Sequence, residues 1–134
     1  MLNPFPSLLT FALAAPALMR VVAGFIFINL GAVKFRGERE RWIASFGSLR
    51  LTPPAVWVGV LAIIEIIGGF MLLAGFFTQI AALIFSVITL VELLIEYRTP
   101  PVLPRTLPFY LLLFAVSLSL LFSGAGLFAV DLPL

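Results

Sequence analysis

The run from Val60 to Ala74, VLAIIEIIGGFMLLA, is apolar throughout apart from one carboxylate, Glu65, near its middle. As a helix it lies within hydrocarbon, where an ionisable side chain costs at least about 2.5 kcal/mol on insertion scales. The rest of the chain must therefore offer Glu65 a partner, a proton or a polar pocket. Composition points the same way: 63% of the 134 residues are hydrophobic and 10% charged, against roughly half and a quarter in soluble domains. Four apolar runs have the length of about 20 residues that a spanning helix needs, and in lipid only helices or closed barrels satisfy their own backbones. The expectation is an all-α integral membrane protein, a single domain over residues 1–134. Its core is a bundle of four transmembrane helices with a short amphipathic interfacial segment between the first two.

The chain has neither cysteine nor histidine. That removes thiol and disulfide exchange, thiolate or imidazole metal sites and histidine-ligated haem, so no metal site is expected and any redox cofactor must be borrowed. The formal charge is only +2, and the basic residues flank membrane runs, where they set topology rather than bind nucleic acid. Met1 to Thr10 lacks the basic start of a signal peptide, so the first apolar run is expected to stay in the protein.

Pro16 suits the first turn of a helix, which places the first span at about 15–35; Leu8 to Ala14 either lies along the interface or extends a tilted helix. Arg20, Gly24, Phe27, Gly31 and Lys34 follow one another at alternating steps of four and three residues and share a face that should meet the bundle. Asn29 falls on roughly the opposite face, as a subunit contact or a tolerated polar residue. The charged stretch 38–50 carries Trp42, Phe46 and Leu49 at helical spacing and reads as an interfacial amphipathic helix. The second span, about 54–76, sets Leu61, Glu65, Gly68, Gly69 and Leu72 on one side, so Glu65 should look into a close helix contact. The very short link Gly75 to Thr78 makes an antiparallel hairpin with a third span at about 78–97. Ala82, Phe85, Ser86, Thr89, Glu92 and Glu96 share a face of this span. Pro100, Pro101, Pro104 and Pro108 mark an extended linker to a fourth span at about 107–128. Seven of the basic residues, from Lys34 to Arg105, lie in the two connectors that follow the first and third spans. This asymmetry predicts cytoplasmic connectors and outer termini in the cell (inner) membrane.

Four segments together resemble the DoxX family of small four-helix membrane proteins: RVVAGFIFINLGAVKF with its Gly31 and Lys34, the EIIGG around Glu65, the LLAGFFTQIAAL turn, and the terminal GAGLFAVD. The likeness runs from about Ala17 to Asp131. Gln79 stands where many such relatives carry a basic residue. The resemblance implies membership of a functionally scattered group, some of whose members are tied to quinone-linked sulfur oxidation or to membrane oxidoreductase complexes.

The residues themselves give a buried polar network or ligand site at Glu65, Arg20 and Asp131. A secondary charge cluster is expected at Lys34, Glu92, Glu96 and Arg98, and close helix packing at Gly24, Gly31, Gly68 and Gly69. The trio is either an internal salt-bridge network or a pocket where Glu65 exchanges protons or meets a quinone carbonyl or lipid head group. The leading expectation is a subunit that is not an enzyme by itself. It would sit in the lipid bilayer with no intrinsic cofactor, associate with membrane oxidoreductase subunits, and bind a quinone or lipid between its helices. The alternatives are a small proton-coupled carrier or channel acting as a homo-oligomer, and a purely structural assembly factor.

Overall fold

Pro16 sits in the first turn of α1, Ala14–Phe35, and the helix then runs unbroken for 22 residues, about 33 Å at 1.5 Å per residue. The computed structural model describes residues 4–99 and 102–131, so Pro100 and Pro101 of the linker lie outside the described residues. Ahead of α1, Pro6–Phe11 forms a separate exposed 3-10 helix. Four more helices follow: α2, Arg39–Ser48, α3, Pro54–Ala74, α4, Thr78–Arg98, and α5, Leu107–Ser123. No strand occurs among the described residues. Three helices, α1, α3 and α4, are long and apolar enough to cross a membrane, and α5 is a shorter apolar helix. The protein is an all-α membrane bundle of four helices with α2 as an extra short helix.

Two helix ends fall short of the expected positions for a local reason. At the end of α3, Gly75 adopts a left-handed conformation with φ +68°; its N–H bonds the Leu72 carbonyl and the Phe76 N–H bonds the Met71 carbonyl. This Schellman arrangement stops the helix at Ala74. Gly124 and Gly126, with φ +76° and +72°, stop α5 at Ser123 and turn the chain back over the bundle end.

The bundle consists of two close pairs, α1 with α3 and α4 with α5. A side chain on Gly69 would stand 2.8 Å from the Gly24 carbonyl oxygen, and one on Gly31 would stand 2.7 Å from that of Ala62. The missing side chains thus allow backbone contact, the usual route to tight packing in lipid. The pairs meet at a ring: Phe85 of α4 lies over Gly68 and stacks on Phe27 of α1, with centroids 3.6 Å apart and planes 3° apart. Ala23, Leu30, Leu72, Ala82, Leu113 and Leu120 complete this apolar middle. It separates two polar ends, the connector end with α2 and the α4–α5 link, and the hairpin end with the α3–α4 turn and residues 124–131.

The α2 segment is the short amphipathic helix between the first two spans. Its apolar residues pack inward: Trp42 and Phe46 are buried against Val58, Leu103 and Tyr110. The α2 helix is thus a plug across the connector end of the bundle. Bundle side chains accept its buried aromatic residues.

Candidate functional site

Glu65 is fully buried on α3, and its partner is Lys34 of α1. The Lys34 ammonium donates to both carboxylate oxygens at 2.8 and 2.7 Å, and neither side chain is exposed. The same ammonium lies 4.0 Å from the centroid of the Trp42 ring, a cation–π contact that closes the pair from the α2 side. The glycine contacts explain the pairing. Gly24 beside Gly69 puts position 20 near the last turn of α3 and position 34 near 59. The lysine stem, leaning toward its own helix N-terminus, then reaches back to Glu65.

Glu92, on α4, is buried and within Coulombic reach of Glu65 and Lys34. No hydrogen bond to its carboxylate occurs among the described residues. The buried Tyr110 hydroxyl lies toward the Arg105 backbone and within reach of Glu92, without a well-formed bond to either. This inner centre therefore holds one ammonium, two carboxylates and a phenol.

Around it, the plug is latched to the α4–α5 link. Arg105 bonds Glu38 at 2.7 Å, the Ser45 hydroxyl donates to the Val102 carbonyl at 2.6 Å, and the Leu103 N–H donates to Glu96 Oε2 at 3.0 Å. Burial pushes the Glu38 carboxyl up, but the Arg105 guanidinium outweighs it and holds the group below its ordinary value. Arg98 is exposed and in no ion pair among the described residues.

Arg20 and Asp131 lie at the hairpin end, across the apolar middle from Glu65. The Arg20 guanidinium donates to the carbonyls of Leu72 and Leu73, which end α3, and to those of Leu127 and Phe128, at 3.0–3.1 Å. A helix C-terminus offers unsatisfied carbonyls and the negative end of the macrodipole, so it suits a buried cation. Asp131 accepts from the N–H groups of Phe77 and Thr78 at 2.8 and 2.6 Å, capping the start of α4 from a distant part of the chain. Burial opposes its charge, but these amides and Arg20 hold the carboxyl below its usual value.

The sequence-level grouping is thus redistributed. Arg20 and Asp131 share one end and act on backbone, Glu65 takes Lys34, and Glu92 joins that pair while Glu96 serves the connector. Trp42, which the sequence marks only as an apolar position of the amphipathic segment, and Tyr110, which it does not mark, are part of the inner centre. Their signal is an aromatic residue with a polar tip in an otherwise apolar face. Gln79 donates to the Leu121 carbonyl and ties α4 to α5.

Two concavities stand apart from the ion pair. A groove of about 190 Å³ between α3 and α4 is lined by Ile63, Ile64, Ile67, Met71, Ile84 and Phe85, among others, with no polar side chain in its wall. A cleft of about 730 Å³ at the hairpin end is lined by Thr78, Gln79, Ser123 and Asp131 among apolar residues. Among the described residues, no group of three or more acidic side chains could hold a metal.

Fold and site define an integral membrane protein of four helices closed around a buried lysine–glutamate pair. The DoxX family model matches residues 15–98, and the chain belongs to the DoxX family. A Bacillus subtilis (strain 168) protein named "Putative oxidoreductase CatD" is 34% identical over 114 residues, covering 85% of this chain and 82% of that relative. No solved structure matches the chain.

Proposed function

We propose that this DoxX-family protein is a subunit of a membrane oxidoreductase system, not an enzyme by itself, and that its inner centre holds and exchanges one proton. The charge count of that centre carries the reading. Lys34 balances one carboxylate, and Glu92 has no cation of its own in a region where an uncompensated charge is expensive. The buried Tyr110 hydroxyl, within Coulombic reach of Glu92, adds a second protonatable group to the centre. The name of the Bacillus relative supports the oxidoreductase context.

The Glu65 carboxylate is closed on Lys34, and the groove between α3 and α4 offers no hydrogen-bonding side chain. The groove suits the apolar tail of a lipid or quinone rather than its head. Exposed Arg36, Arg39, Arg41, Arg50 and Arg98 all lie at the connector end, which supports a cytoplasmic connector end with both termini outside, in the inner membrane.

Affinity isolation of the chain from native membranes tests the assignment in two parts. A redox enzyme is expected to co-isolate, and Glu92→Gln should retain that enzyme while slowing its electron transfer. Failure to recover any redox partner sinks the subunit reading. An unchanged rate with Glu92→Gln sinks the proton centre. Solute flux into liposomes containing the purified chain alone, lost in Glu65→Gln, would instead establish a carrier.

A further inference from the structure

The face of α1 opposite α3 carries a second regular stripe. Leu18, Val22, Phe25, Asn29 and Ala32 follow one another at steps of four, three, four and three residues, two positions behind the stripe that packs on α3. Within this stripe Leu18, Val22 and Phe25 are 68%, 49% and 61% exposed, and Asn29 is exposed as well. No hydrogen bond of the Asn29 side chain occurs among the described residues. Asn29 lies about 9 Å of helix rise short of the Phe35 end of a helix about 33 Å long, which puts its carboxamide in hydrocarbon where water cannot satisfy it. Asparagine is too short to reach the interface as arginine or lysine would.

We infer that this stripe is a homodimer interface, in which α1 packs in parallel against α1 of a second copy and the two Asn29 carboxamides hydrogen-bond each other. Three observations select a second copy as the occupant. A carboxamide both donates and accepts, so two of them are self-complementary about a two-fold axis. A second copy inserted in the same orientation presents its own Asn29 at the same depth, with no adjustment of register. The spacing is that of a left-handed helix pair: Val22 and Asn29 fall at a positions and Leu18, Phe25 and Ala32 at d positions, and a single asparagine at a is the device that fixes register and a parallel dimer. Lipid tails replace apolar contacts at little cost, so the amide bond supplies specificity that the apolar stripe alone lacks.

Because the chain has no cysteine, single-cysteine variants report proximity in membranes without background. Phe25→Cys should form a disulfide-linked dimer on mild oxidation, while Val87→Cys, on an exposed part of α4, should not. Adding Asn29→Leu to Phe25→Cys should weaken the dimer about tenfold, which corresponds to ~1.4 kcal/mol, and Asn29→Gln should restore most of it. Leucine at a position exposed on the single chain leaves the fold intact, and a thermal melt of the variant checks this. Equal cross-linking at positions 25 and 87, an Asn29→Leu protein that dimerises like the parent, or cross-links from position 25 only to another protein would each overturn the inference.

Discussion

At the scale of single residues, the charged side chains of the bundle answer to different partners. Lys34 satisfies Glu65 with two bonds, so replacing either one strands a charge in a dry interior. Lys34→Met is expected to lower stability by about 3–5 kcal/mol in thermal unfolding in detergent. The double replacement Lys34→Met with Glu65→Leu should cost much less than the sum of the single changes. A simple sum would show that the two groups do not depend on each other. Asp131 makes a pH prediction. Its carboxyl is held below its ordinary value by the Phe77 and Thr78 amides against the opposing effect of burial. Its contribution is therefore complete above the ordinary aspartate value of about 3.9 and is lost as pH falls through the lower folded value. Melting temperature against pH should show this acid limb, and Asp131→Asn should flatten it while costing about 1 kcal/mol at neutral pH, as loss of a cap does.

At the scale of elements, Gly24 and Gly31 of α1 and Gly68 and Gly69 of α3 have a steric role. A methyl on Gly69 would meet the Gly24 carbonyl and the Ile28 backbone, neither of which can rotate away. Gly69→Ala should destabilise the protein by about 1–3 kcal/mol. Gly47→Ala, in α2 with nothing within 4 Å of the new methyl, should leave stability unchanged or raise it by about 0.5 kcal/mol. Unfolding of the two variants side by side makes the comparison, and equal effects would refute the packing account. The α2 plug is the converse case. Its amphipathic pattern marked a helix with one apolar face, but a lipid interface and the open end of a bundle both accept such a face. The partners of its buried residues, Val58, Leu103 and Tyr110, become visible only in the fold.

At the scale of the whole molecule, two close helix pairs joined at the Phe27–Phe85 stack leave a polar centre at each end and an apolar middle between them. The hairpin end is held by backbone capping, and the connector end by ion pairs and the plug. The sequence by itself determined the membrane class, the four spanning runs, the inward face of α1 and α3, and that Glu65 must be compensated. Those conclusions follow from transfer free energy and helical period, which act locally. Which charge compensates it was decided only by tertiary structure. Arg20 and Lys34 lie on the same face of α1 and either could serve. The antiparallel register set by Gly24 on Gly69 brings Arg20 to the open carbonyls of α3 and Lys34 to Glu65. Register is a property of two surfaces in contact, and a single chain read in order shows each surface without its partner.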